Sequence, residues 1–169
     1  NHLEELPLRV GLLCSLRKLE VANNKLLELP VTFAALSKLE RVDLECNLLR
    51  ILPENLDSLF NCRILNLNNN NLVRLPRCLG RLPSLTSLSA CKNQLNYLPM
   101  ELCFSKTLKV LRMGTNQITA LPARIGELKK LREISMDFNL VRALPMSFYK
   151  LAKLQNLRVE GNLIALPKE

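Results

Sequence analysis

Asparagine recurs through this 169-residue chain at a constant interval, and that interval constrains the fold more than any other feature. It occupies eight positions, each 23 residues after the last: Asn1, Asn24, Asn47, Asn70, Asn93, Asn116, Asn139 and Asn162. A Leu-Pro pair recurs with the same spacing from Pro7 to Pro145. Such self-similarity indicates a stacked repeat architecture. We therefore predict one domain, residues 1–169, in which a partial repeat 1–15 precedes seven repeats that open at residues 16, 39, 62, 85, 108, 131 and 154.

Each repeat follows the pattern L-x-x-L-x-L-x-x-N-x-L-x-x-L-P-x-x-L-x-x-L, and each part of it has a physical meaning. The L-x-L alternation at repeat positions 4 and 6 predicts a short strand with one buried face, which stacks on its equivalents as a parallel sheet. The asparagine at position 9 has an amide that donates to and accepts from turning backbone. Proline at position 15 keeps the preceding leucine extended. The three-residue leucine spacing that follows predicts a turn of 3₁₀ or α-helix on the outer side.

This pattern resembles the intracellular leucine-rich repeat family in its 23-residue variety, that of Ras-suppressor-like, Scribble-like and plant Ras-group proteins. The resemblance covers the whole chain and implies an α/β solenoid, a right-handed superhelix with a parallel inner sheet and short 3₁₀ or helical outer segments. It also implies intracellular scaffolding or signalling, with small GTPases and phosphatases among the partner classes. Because neither end shows a cap with a polar outer face, we expect the chain to be a segment of a longer solenoid.

The composition argues against catalysis. The chain has a single histidine, His2, and five isolated glycines, so the sequence offers neither a nucleophile–base pair nor a phosphate-binding loop. Six cysteines form no C-x-x-C pair, which argues against a metal site. No apolar run approaches the ~18 residues of a membrane span. We therefore predict a protein that is not an enzyme and has no cofactor.

Side chains at repeat positions 3, 5 and 7 flank the buried strand positions and are expected to form the open concave face. They carry four basic and six acidic groups, and they are our candidates for binding a protein partner. The candidates of the first two repeats are Lys18, Glu20, Arg41, Asp43 and Glu45. Those of the middle repeats are Asn66, Asn68, Arg112 and Glu133. Charged groups on neighbouring strands either contact a partner or satisfy one another.

An apolar spot rimmed by charge is predicted at the C-terminal end of this face. Its apolar residues are Phe138 at position 8 and Leu140 at position 10, with Leu163 in the next repeat. Its charged rim consists of Asp137, Arg158 and Glu160. An apolar centre with a charged rim is typical of a partner-binding hot spot; the alternative is a set of ordinary scattered surface hydrophobes.

The net charge of +9 concentrates on the loop that enters each strand, at positions 22, 23 and 2. This basic edge consists of Arg17, Lys38, Arg63, Lys106, Lys109, Lys129, Lys130, Arg132 and Lys153, with Glu40 as its one acid. It is either a solvated flank or a surface that targets a larger protein to an anionic membrane or an acidic polymer. We expect Phe104 to turn inward where Ser105 interrupts the last leucine column. Nothing aromatic is interleaved among the bases of the edge, as nucleic-acid stacking would require, which argues against nucleic-acid binding.

The cysteine usage predicts a reducing compartment. The six cysteines share no repeat column, no cysteine-bearing cap is visible, and none of the 17 asparagines lies in an N-x-S/T acceptor site. We therefore predict an intracellular, cytoplasmic protein. Its predicted function is protein–protein interaction through the concave face, in a scaffold or signalling role. A regulatory segment of a larger enzyme encoded outside these residues is a further alternative.

Overall fold

The computed structural model describes residues 1–164, and these residues form a solenoid in which every full repeat contributes one strand. The strands are β1 Lys18–Glu20, β2 Arg41–Asp43, β3 Ile64–Asn66, β4 Ser87–Ser89, β5 Val110–Arg112, β6 Glu133–Ser135 and β7 Asn156–Arg158. Short 3₁₀ helices lie on the outer side. They are Leu8–Leu12, Val31–Ala35, Leu56–Ser58, Arg77–Arg81, Met100–Phe104, Ile125–Glu127 and Met146–Lys150. The predicted order of inner strand and outer turn is confirmed.

The seven strands form one parallel sheet in sequential order. Each residue pairs with the residue 23 positions later, as in Lys18 with Arg41 and Arg41 with Ile64. The pairing offset between strands equals the repeat length. Residues at the same repeat position therefore lie side by side across the sheet. At roughly 4.8 Å per strand, the sheet is on the order of 30 Å long.

The recurring asparagines form the ladder that the sequence predicts. Asn93 Nδ2 donates to the carbonyls of Leu67, Ala90 and Cys91 at 3.0, 3.2 and 3.2 Å, and its Oδ1 accepts from Leu72 N at 2.9 Å. Each bond to Leu67 or Leu72 crosses to the preceding repeat. Since the side chain is only 9% exposed, it satisfies backbone groups that water does not reach.

Leucine supplies most of the core. The central residues of β2 to β6 are 0–3% exposed, whereas Leu157 at the same position in β7 is 44% exposed because no further strand covers it among the described residues. The outer turns pack just as closely. A Cβ on Gly80 or Gly126 would lie 2.0 Å from the carbonyl oxygen of Glu101 or Ser147, so the backbones approach there at a distance that only glycine permits.

Position 8 of every described full repeat lies in the left-handed region. The residues there are Asn23, Cys46, Asn69, Lys92, Thr115 and Phe138, with φ between 52° and 57°, and Gly161 with φ 66°. This conformation turns the chain inward so that the following asparagine reaches the ladder. It is uncommon for residues other than glycine, asparagine and aspartate. Within residues 1–164, no helix is both long and apolar enough to cross a membrane.

Candidate functional site: the concave face

The N-terminal half of the concave face is a polar network of ion pairs and hydrogen bonds, although the buried Nε of Arg41 has no hydrogen-bond partner within the described residues. Arg41 Nε lies 3.4 Å from Glu20 Oε1, and one terminal nitrogen of its guanidinium lies 3.7 Å from Asp43 Oδ2. Lys18, on the same strand as Glu20, is exposed and forms no ion pair within the described residues. The structure therefore brings Glu20, Arg41 and Asp43 together and leaves Lys18 outside the group.

An asparagine on the third strand extends this network. Asn66 Nδ2 donates to Asp43 Oδ1 at 3.1 Å and to Glu45 Oε2 at 3.0 Å, and Asn69 Nδ2 donates to Glu45 Oε1 at 3.2 Å. The backbone N–H of Glu45 also donates to Asp43 Oδ1, at 3.2 Å. The carboxylates of Asp43 and Glu45 thus accept hydrogen bonds from three N–H donor groups, two on side-chain amides and one on the backbone. We name the set Glu20, Arg41, Asp43, Glu45, Asn66 and Asn69 the N-terminal network.

Asn68 continues the polar row without joining the carboxylates. Its backbone N–H donates to Asn66 Oδ1 at 3.2 Å, and its Oδ1 accepts from the Cys91 backbone at 2.8 Å. Both hydrogen bonds are local to the scaffold. The amide of Asn68 therefore ties repeat 3 to repeat 4 on the concave side.

A close ion pair occupies the middle of the face. Arg112 Nε donates to Glu133 Oε1 at 2.6 Å across β5 and β6. The hydrogen bond from Arg112 lowers the pKa of the Glu133 carboxyl below its ordinary value, and the bond to Glu133 raises the pKa of Arg112. The nearby charge of Arg158 lowers the pKa of Glu133 further. Charge on this part of the face is therefore fixed over the neutral range.

Phe138 projects at the C-terminal end of the face, as the sequence predicts. Its side chain is 58% exposed, and its backbone has a φ of 54°. Gly161, at the same position in the next repeat, lies under the ring, because a Cβ there would be 2.5 Å from Phe138 Cδ1. A recess of about 470 Å³ lies beside the ring, and its lining includes Arg158 and Glu160. We name Asp137, Phe138, Arg158 and Glu160 the C-terminal spot.

The two leucines predicted for this spot lie outside the recess. Leu140 and Leu163 are 43% and 54% exposed, but neither lines the recess beside Phe138.

Asp137 Oδ2 accepts a hydrogen bond from Ser135 Oγ at 2.9 Å. Arg158 and Glu160 are exposed and form no ion pair within residues 1–164. The charges of Arg158 and Glu160 beside Phe138 are thus not neutralised by an ion pair within the described residues.

The basic edge differs from the prediction in one respect. Phe104 is 47% exposed and Ser105 is 5% exposed, so the expectation that Phe104 turns inward is wrong. The Arg124 guanidinium lies 5.6 Å from the centre of the Phe104 ring, within range of a cation–π contact. Phe104 lies at position 20, beside the edge, and Phe60 at position 22 of repeat 2 is 56% exposed, so aromatic side chains accompany the bases of the edge. Elsewhere on the edge, Arg17 forms an ion pair with Glu40 at 2.9 Å.

The cysteines and acids of the described residues form no recognisable reaction centre. All six thiols are unbridged, and no group of three His, Cys, Asp or Glu residues in 1–164 is arranged to hold a metal ion. Burial raises the pKa of Cys62 to about 12 and that of Cys103 to about 11. These two thiols stay protonated at neutral pH, which suits packing better than nucleophilic chemistry.

Strand, outer turn, asparagine ladder and in-register sheet together define a leucine-rich repeat solenoid fold. No protein-family model and no curated protein sequence matches the chain. Among solved structures it is similar to a leucine-rich repeat protein of Leptospira interrogans, with 30% identity and a TM-score of 0.73 over 98% of this chain.

Two further solved structures support the fold alone, because each is 22% identical. They are an internalin from Listeria monocytogenes, with a TM-score of 0.83 over 95% of this chain, and the plant peptide hormone receptor RGFR1 in complex with RGF2, with a TM-score of 0.76 over 94%. The chain spans 48% of the Leptospira protein, 46% of the internalin and 30% of the receptor.

Proposed function

We propose that this chain is a protein-interaction module that binds a protein partner on its concave face, centred on the C-terminal spot. The observation that carries the proposal is Phe138. It is an exposed aromatic ring held by a left-handed backbone and by Gly161, beside a recess rimmed by Arg158 and Glu160. A ring fixed in this way loses little conformational entropy when it is buried by a partner.

The N-terminal network is proposed as a secondary contact surface. Its carboxylates already accept hydrogen bonds from Asn66 and Asn69, so a partner gains less by pairing with them than with the uncommitted charges of Arg158 and Glu160. The energetic centre of binding is therefore expected in repeats 5–7. Lys18 is the exception in the N-terminal half, since it has no acidic partner within the described residues.

The class of partner follows from the resemblance and from the neighbours. The resemblance implies small GTPases or phosphatases, and the plant receptor is a leucine-rich repeat structure in complex with RGF2. We propose an intracellular scaffold or signalling role without catalysis. The six unbridged thiols of the described residues support a reducing compartment.

The test is an affinity capture from cell extract, with the wild-type chain and two variants as bait, followed by titration of the captured protein. Phe138→Ala combined with Arg158→Glu should weaken binding by about tenfold or more, because both groups lie at the proposed centre. Phe104→Ala is the matched control, since it removes a similarly exposed ring from another surface. A partner that binds the wild type and the double variant equally would contradict the proposal.

A further inference from the structure

Phe104 occupies repeat position 20, which faces outward; also exposed at this position are Leu12, Ala35, Arg81, Glu127 and Lys150. In the partial repeat and in repeats 1, 2, 5 and 6, the first residue of the next repeat donates its N–H to the carbonyl at position 21, as Leu131 does to Leu128 at 2.9 Å. In repeat 4, Leu108 N donates to Ser105 Oγ instead, at 3.3 Å. Ser105 is buried like the leucines at position 21 of repeats 1, 2, 3, 5 and 6, and Phe104 lies beside it on the surface.

The neighbouring repeat has an altered turn at the same place. At position 21, ψ is 53–66° in the partial repeat and in repeats 1, 2, 5 and 6, but it is 112° at Leu82 and 126° at Ser105. Pro83 follows Leu82 and has no N–H, so it cannot make the short turn bond that Ser37 makes to Ala35 at 2.8 Å. In repeats 3 and 4, the backbone is therefore extended at position 21, where the outer turn ends.

Two recesses open where these turns depart from the regular geometry, and Phe104 stands between them. The larger has a volume of about 780 Å³ and is lined by Cys103, Phe104, Ser105, Lys106, Arg124, Glu127, Lys129 and Lys130. The smaller has a volume of about 390 Å³ and is lined by Gly80, Arg81, Leu82, Pro83, Phe104, Lys106 and Thr107. Phe104 and Lys106 line both. We name the two recesses together the flank groove.

The charge of the flank groove is strongly positive. Its lining carries five bases against one acid: Arg81, Lys106, Arg124, Lys129 and Lys130 against Glu127. Glu127 is 3.7 Å from Lys129 Nζ, and Lys129 also donates to the Gly126 carbonyl at 2.8 Å. Lys106 and Lys130 have no acidic partner within the described residues. An anionic ligand would therefore meet uncompensated positive charge on both sides of an aromatic ring.

We propose that the flank groove binds an acidic peptide segment that carries aromatic or large apolar side chains, at a site separate from the concave face. Charge complementarity selects acidic residues, and the exposed ring of Phe104 with its two recesses accepts apolar side chains. An extended peptide presents alternate side chains on one face, so two of these side chains would enter the two adjacent recesses. A concave groove fits a peptide better than the flat surface of a membrane.

The test measures binding of short fluorescent peptides by anisotropy. One peptide alternates glutamate with phenylalanine, a second alternates glutamate with serine, and a third alternates lysine with phenylalanine. The first should bind the wild-type chain, and its affinity should fall as salt screens the lysines. Phe104→Ala should weaken binding by about tenfold. Lys106→Glu combined with Lys130→Glu should weaken it at least as much and flatten the salt dependence.

Matched controls separate this site from the concave face and from a lipid surface. Phe138→Ala should leave binding of the glutamate–phenylalanine peptide unchanged, so this site and the concave site can fail independently. The proposal is overturned if this peptide does not bind, if the glutamate–serine or lysine–phenylalanine peptide binds equally well, or if Phe104→Ala has no effect. It is also overturned if the chain binds phosphatidylserine vesicles in preference to the peptide. Each variant is compared at equal thermal stability, which exposed substitutions should preserve.

Discussion

The two ends of the concave sheet have the same backbone but dispose of their polar groups in opposite ways. In repeats 1–3, the carboxylates of Asp43 and Glu45 are held by amides of the protein itself. In repeats 6 and 7, Arg158 and Glu160 extend into solvent and form no ion pair within residues 1–164. The carboxylates of the first end accept hydrogen bonds from the molecule itself, whereas Arg158 and Glu160 at the second end remain exposed to solvent.

Position 8 shows how this difference arises. The backbone at position 8 is left-handed in both regions, with φ 52° at Asn69 and 54° at Phe138. Asparagine tolerates this conformation and here donates to a carboxylate of the preceding repeat. Phenylalanine does not favour it and offers no hydrogen bond, but it places a large ring on the surface. The same repeat position therefore carries a residue that stabilises the scaffold at one end and the exposed ring of our proposed binding site at the other.

The largest effect should come from the ladder beneath both ends. Asn70 and Asn139 each donate to three carbonyls and accept from one backbone N–H. Asn70→Ala and Asn139→Ala should each lower the free energy of unfolding by about 3 kcal/mol, because buried backbone groups lose their partners. Urea denaturation would measure both. Costs that differ severalfold would show that the scaffold is not equivalent at the two ends.

A smaller effect should distinguish the two surfaces. Asn66→Ala removes both amide bonds to Asp43 and Glu45, and we expect a loss of about 1–2 kcal/mol in the free energy of unfolding. Arg158→Ala should change stability by less than about 0.5 kcal/mol, since an exposed side chain is removed. Thermal unfolding of the two variants side by side is the measurement. If Arg158→Ala proves as costly as Asn66→Ala, the contrast between the two ends is wrong.

The smallest effect concerns the ion pair between the two regions. The pKa of Glu133 lies below its ordinary value of 4.5 in the folded chain, so its stabilisation is present above pH 4.5 and is lost as the pH falls through the lower folded value. Wild type should exceed Glu133→Gln in stability by about 0.5 kcal/mol at neutral pH, and the gap should close in acid. Denaturation at neutral and acidic pH would measure it. A gap that widens in acid would contradict the assignment.

The periodicity of the sequence predicts the scaffold fully and the surface only in part. Strand positions, register and ladder follow from the 23-residue interval because each depends on a residue that every repeat shares. The outward side chain of Phe104 follows from the same interval, because position 20 is exposed in most repeats; the expectation that Phe104 replaces the missing leucine at position 21 ignored that column. The pattern does not reveal that Asn66 and Asn69 hold Glu45, because amide pairing across strands depends on side-chain rotamers.

Because repeat length and sheet register coincide, each repeat adds one strand spacing to the length of the solenoid. The flank groove lies on repeats 3–5 and the C-terminal spot on repeats 6 and 7, so their separation is a whole number of repeats. Inserting one 23-residue unit between repeats 5 and 6 would increase that separation by roughly 4.8 Å on the inner side and leave every residue of both surfaces in place. A gene that gains a unit there would lengthen the distance between the two proposed surfaces without altering the chemistry of either.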